Sequence, residues 1–148
     1  MFNSKILLKG SCKLVLTDAF GNIKDERESD NLVVATGLTY ICDRMKNNST
    51  VITHGAVGSG STAAASGNTD LGSIIGSRVA ITSATPSSNT IAYIVAFGAG
   101  VSTGSITEFG LFNASSSGSM LARVVFGTIT KASGDSLSVT HTLTLSAS

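Results

Sequence analysis

The chain has 148 residues, enough for one domain with a real core, and its formal net charge of +1 gives no electrostatic reason to bind nucleic acid or an anionic membrane. Only 13% of the residues are charged, about half the usual share of roughly 25%, while mean hydropathy is +0.32. No apolar run approaches the ~20 residues that span a bilayer, so the excess hydrophobicity is dispersed among Gly, Ser, Thr and Ala.

The charge is also unevenly placed. Residues 1–48 hold seven of the ten basic and six of the nine acidic side chains, and the rest of the chain carries only Arg78, Arg123, Lys131, Asp70, Glu108 and Asp135. Charge alone does not keep such a surface soluble, which points to an assembled protein partly covered by other subunits. The opening MFNSKILLKG lacks the long apolar core and small-residue cleavage site of a secretory leader, so synthesis in the cytosol is expected. Cys12 and Cys42 are then expected to be reduced and to behave as small buried hydrophobes.

In chain order, KLVLTDAFGNIKDERE (13–28) alternates apolar and polar residues around turn residues 18–22 and predicts a charged hairpin over residues 11–30, with a polar, solvent-facing return strand. NLVV (31–34) reads as a buried strand. In the following ATGLTYICDRMKNN, Leu38, Ile41, Cys42 and Met45 share one helical face, which predicts a helix near residues 36–47 capped by Thr36, with Arg44 and Lys46 suited to its C-terminal end. Residues 54–68 predict a strand end followed by a small-residue loop. SRVAITS (77–83) and TIAYIVAF (90–97) predict strands separated by a turn at 86–89, the second with both faces covered. SLSVTHTLTLS (136–146) alternates cleanly, with Leu137, Val139, His141, Leu143 and Leu145 on one face. Short strands without a βαβ rhythm predict a mainly β fold: one domain over residues 1–148, an antiparallel, jelly-roll-like β-sandwich with that single helix.

The motifs that carry chemistry are thin. Gly58-Ser59-Gly60 with Ala63 imitates a dinucleotide fingerprint, but Gly67, Asn68 and Gly72 prevent the helix that must follow it. Two His and two Cys without ligand spacing predict no metal site, and no cofactor is expected. A small hydrolase using His54 or His141 is the enzymatic alternative, since triads are recognised by geometry, but no G-x-S-x-G elbow is present. The absence of Trp argues against a carbohydrate-binding platform.

One hairpin holds two of the isolated charges. In ITEFGLFNASSSGSMLARVVFGTITK (106–131), a turn centred on Ser115 and Ser116 places Glu108 opposite Arg123 and Gly110 opposite Leu121. The reading is a structural ion pair, with Gly110 leaving room for a large side chain or a close backbone. The alternative is two independently solvated charges.

The segments NLVVATG, THGAVGSGSTAAASGNTDLGSIIGSRVAIT, NTIAYIVAFGAG and especially ITEFGLFNASSSGSMLAR through GDSLSVTHTLTL resemble small virion structural proteins of tailed bacteriophages, over residues 11–145. The E-x-G-[IL]-F-[ND] hairpin is similar to parts of tail-fibre and baseplate-attachment proteins as well. The resemblance implies a β-sandwich without catalytic residues that works by assembly in the virion. It implies a capsid cement or decoration protein, forming a homo-oligomer (a trimer at three-fold positions) on the major capsid protein. The alternative placement is a tail, fibre-base or baseplate component. His141 departs from the pattern, where such proteins carry an aromatic residue, often Trp. The charged N-terminal hairpin is the expected partner-facing contact, and removal of residues 1–30 is expected to abolish binding while the remainder folds.

Overall fold

The computed structural model describes residues 4–147, so the expected domain ends at residues 1–3 and 148 lie outside it. The described chain is mainly β, with nine antiparallel strands in one sheet and a single helix. Two long strands, β1 (Ile6–Thr17) and β2 (Ile23–Val33), form the charged hairpin. Its turn is built by Asp18, whose carboxylate accepts the backbone N–H of Phe20 and of Asn22, both at 2.9 Å, while Gly21 adopts φ 87°. The NLVV segment is not a separate strand but the end of β2 and the entry to α1 (Ala35–Asn47).

The remaining strands are β3 (His54–Gly58), β4 (Val79–Ala80), β5 (Ser83–Ser87), β6 (Thr90–Phe97), β7 (Gly104–Phe112), β8 (Met120–Lys131) and β9 (Ser136–Ala147). Their order is β4-β3-β7-β8-β2-β1-β9-β6-β5, curled into a half-barrel. β2 holds the two halves together, pairing with β1 over most of its length and with β8 only at Leu32 and Val33. Curling brings β6 across from β3 and β7. Phe97 meets Phe109 edge to face at 6.5 Å, and Gly55 leaves space for Val95. The core joins Leu14, Leu16, Val95, Phe97, Phe109, Leu111, Leu137 and Val139 from both halves.

Several expectations need correction. Pro86 lies within β5 rather than in a turn, tolerated because β5 is an edge strand and needs no second donor. The turn is Ser88–Asn89 instead, with Ser88 at φ 54°. β6 buries Tyr93, Val95 and Phe97 but exposes Ala96 on its other face.

Helix α1 is also rotated from the expected face. Its one buried residue is Gly37, which lies flush against the Leu121 carbonyl, and Tyr40 and Ile41 pack on the core. Leu38, Cys42 and Met45 are exposed, so Cys42 is not a buried hydrophobe. Thr36 does not cap the helix. Its hydroxyl donates to the Met120 carbonyl at 2.9 Å, and Val34 stands at the cap without a side-chain bond.

The N-terminal hairpin is structural as well as charged. β1 pairs with β9 from Ile6 to Thr17 and contributes Cys12, Leu14 and Leu16 to the core. Deleting residues 1–30 would strip two strands from the middle of the sheet, so the remainder would not fold as expected from sequence.

Candidate functional site

Glu108 on β7 and Arg123 on β8 are almost wholly enclosed, with side-chain exposures of 0% and 3%, and Arg123 Nη2 lies 2.7 Å from Glu108 Oε2. The ion pair forms, but not in the expected register. Gly110, not Glu108, lies opposite Arg123, and Glu108 lies opposite Val125. Two features move the register. The 113–119 turn is closed by Asn113, whose Oδ1 accepts the Ser119 N–H at 2.7 Å, and Ser117 and Gly118 take positive φ. Leu121 is then an extra residue on β8, between the pairs Phe112–Met120 and Leu111–Ala122. Glu108 and Arg123 therefore meet diagonally across the ladder, within reach of a long side chain.

The carboxylate does more than neutralise one arginine. Oε1 accepts the backbone N–H groups of Gly60 (2.8 Å) and Ser73 (2.9 Å), and Oε2 accepts Gly72 N–H (3.0 Å) and Arg123 Nε (2.9 Å). Arg123 Nη1 continues the network to Asn68 Oδ1 at 3.0 Å, which also accepts the Ala65 N–H. Thr107 donates to the Gly60 carbonyl at 2.9 Å, and Ser59 N–H donates to the Ser73 carbonyl at 2.8 Å. The pair thus clamps a loop of small residues, 59–75, that has little apolar mass of its own.

Glycines make the clamp possible. A Cβ on Gly60 would sit 2.5 Å from Glu108 Oε1, and one on Gly58 would collide with both that oxygen and the Ser73 carbonyl. The imitation of a dinucleotide fingerprint is therefore a cradle for an internal carboxylate. Gly110 also has a use: the space above it is filled by Leu71, whose Cδ2 would lie 3.0 Å from an added Cβ.

Burial pushes the Glu108 carboxyl up. The hydrogen bonds from Gly72, Ser73, Arg123 and Gly60 outweigh that effect and hold it below the usual carboxylate range. A buried carboxylate whose two oxygens face five donor contacts has no open lone pair with which to take a proton from a substrate.

The other isolated charges are engaged in the same way. Arg78 stacks over the Phe112 ring at 3.6 Å, donates to the carbonyls of Ala114 (3.1 Å) and Ser117 (2.6 Å), and meets Asp70 at 3.5 Å. It pins the 113–119 turn, a role that sequence reasoning missed. Lys131 is buried and donates to the Gly98 carbonyl at 2.8 Å, and burial lowers its pKa. Asp135 accepts Lys24 Nζ at 2.6 Å and Ala132 N–H at 2.9 Å, and the Lys24 bond leads the effects that lower its pKa.

The two histidines lie apart from this network. His54 Nδ1 contacts Thr53 Oγ1 at 2.8 Å on β3. His141 is buried at the centre of β9, between Cys12 on β1 and Tyr93 on β6, with neither ring nitrogen hydrogen-bonded. Among the described residues, neither meets a carboxylate, and no cluster of three His, Cys, Asp or Glu side chains is placed to hold a metal. No helix among them is long and apolar enough to cross a membrane. Comparison with known families, curated proteins and solved structures finds no match to this chain.

Proposed function

We propose that this chain is a non-enzymatic structural protein of a tailed-phage virion, acting as a cement or decoration protein on the major capsid shell. The phage assignment rests on the motif resemblance of residues 11–145 alone. The observation that carries an assembly role is the use of charge. All six charged side chains beyond residue 48 are engaged in internal contacts, five of them holding loops or the 113–119 turn in place. The outer face of β9 carries Ser136, Ser138, Thr140, Thr142 and Thr144, and elsewhere the apolar side chains of Phe20, Met45 and Ile6 are more than 70% exposed. Exposed apolar side chains gain roughly 25 cal/mol per Å2 when a partner covers them, the hydroxyls can be hydrogen-bonded by that partner without stranding a charge, and many copies on one shell add avidity.

In this reading the curled sheet works as a jelly-roll-like sandwich whose halves meet through β2. Copies gather as a homo-oligomer, a trimer at three-fold positions of the shell, and the charged outer face of the β1–β2 hairpin contacts neighbours. The tail or baseplate placement is the second reading, favoured by the E-x-G-[IL]-F-[ND] hairpin.

The test is binding of the purified chain to particles that lack it, followed by co-sedimentation and by the temperature at which the shell opens. Binding with a raised opening temperature is expected, and it should survive His54→Ala. A chain that leaves shells untouched, or that carries hydrolytic activity lost on His54→Ala, overturns the proposal.

A further inference from the structure

β2 leaves one edge free. It is hydrogen-bonded to β1 from Ile23 to Asn31, but on its other side it meets β8 only at Leu32 and Val33. Below that junction pairing stops at a cleft of about 340 Å3, bordered by Asp30, Leu32, Val124 and Val125 and, from the 59–75 loop, by Ser61, Ala63 and Ala64. Farther along, Arg27 reaches toward Gly127 of β8, where an added Cβ would lie 3.0 Å from its Nη1. Among the described residues, no strand pairs with the outer edge of β2 between Ile23 and Asn31. An unpaired edge of this length offers a row of backbone donors and acceptors to any strand that fits.

The side chains on that edge select the strand. From Ile23 the sequence is Ile-Lys-Asp-Glu-Arg-Glu-Ser-Asp, too highly charged for an apolar partner. A second copy of the same strand is different. If two β2 strands run antiparallel about a two-fold axis at Glu26, Lys24 faces Glu28 of the other copy, and Asp25 faces Arg27. Symmetry doubles both, so four opposite-charge contacts cross the two-fold, in addition to the Asp25–Arg27 bond at 2.8 Å and the Lys24–Asp135 bond at 2.6 Å made within each copy. The one like pair is Glu26 against itself, and each Glu26 already holds Lys13 at 2.8 Å. A two-fold at Asp25 or Arg27 instead gives fewer complementary pairs and sets Asp25 or Arg27 against itself. The face parity is also correct, because alternate residues remain on the same side of the joined sheet.

We propose that the free edge of β2 pairs antiparallel with the same edge of a second copy, about a two-fold at Glu26, to make one continuous sheet across a dimer. This proposal stands apart from the virion reading. It concerns only how copies meet in pairs, and it holds whether or not pairs are also gathered on a shell.

The test is sedimentation of the full chain over a range of concentrations, for the wild type, Lys24→Glu and Glu28→Lys. The wild type should dimerise reversibly. Each variant alone sets two like-charge pairs against each other and should weaken the dimer by roughly tenfold or more. Mixed together, the two variants complement each other, because both 24–28 contacts between unlike copies again join a carboxylate to an ammonium, and they should dimerise again. Far-ultraviolet circular dichroism checks that each is folded, since Lys24 also holds Asp135. If Lys24→Glu does not fold, Asp25→Arg and Arg27→Glu form an equivalent cross. A wild type that is monomeric throughout, an oligomer indifferent to every one of these substitutions, or a mixture that stays monomeric each overturns the proposal.

Discussion

Replacing Glu108 and Arg123 singly and together separates a loop clamp from a simple ion pair. In Glu108→Gln, one end of the amide must point an N–H2 at existing donors. With the oxygen at the Oε1 position, the amide nitrogen faces Gly72 N–H and Arg123; flipped, it faces the N–H groups of Gly60 and Ser73. The guanidinium is also left buried without its countercharge, a loss of about 3–5 kcal/mol. Arg123→Met strands the carboxylate and should cost a similar amount, offset in part because three backbone donors still hold it.

The informative variant is Glu108→Leu with Arg123→Met. An isolated buried ion pair can be exchanged for apolar residues at little or no cost. Here the exchange orphans the N–H groups of Gly60, Gly72 and Ser73, each worth about 1–3 kcal/mol, so the double variant should remain at least about 3 kcal/mol less stable than wild type. Urea unfolding followed by circular dichroism gives the differences, and amide exchange should show residues 60, 72 and 73 deprotected first. A double variant as stable as wild type, with those amides still protected, would refute the clamp.

Acid should act through His141, buried with its pKa lowered by desolvation to about 4 from 6.5. The unfolded chain takes up that proton first, so stability is intact above pH 6.5 and falls by about 3 kcal/mol as the pH drops to about 4. His141→Phe should flatten that part of the curve and leave the loss below it, where Glu108 protonates; an unchanged slope would show that His141 is solvated. Gly60→Ala, driven against Glu108, should cost about 1–3 kcal/mol, whereas Gly67→Ala, which meets nothing within 4 Å, should be nearly neutral in the same urea experiment. Arg78→Ala should lower stability by roughly 2–3 kcal/mol and speed amide exchange in the 113–119 turn, having lost two carbonyl partners and the Phe112 ring. In the folded chain a thiol reagent should label exposed Cys42 and spare Cys12, whose thiol burial pushes up to about 12.

What the sequence revealed and what it concealed have physical reasons. The last strand was legible because Leu, Val and His alternate with Ser and Thr, and all of Leu137, Val139, His141 and Leu143 are buried. The helix was legible as an element but not in its orientation. Its closest contact is made by Gly37 against a backbone carbonyl, and hydrophobic periodicity does not register a glycine. The Glu108–Arg123 contact was foreseeable from two lone charges on facing strands, while the register was not, because it depends on a bulge at Leu121 and on the Asn113 closure. The purpose of Gly58 and Gly60 was concealed most completely. It is set by a carboxylate about fifty residues later in the chain.

The claim that this chain is an assembly protein of the virion shell is tested most directly by its copy number in purified particles, measured by quantitative mass spectrometry against the major shell subunit. A cement or decoration protein should be present at a fixed stoichiometry on the scale of the shell itself. A copy number on the scale of a tail or a single vertex would move the chain to the tail, and its absence from particles would contradict the account.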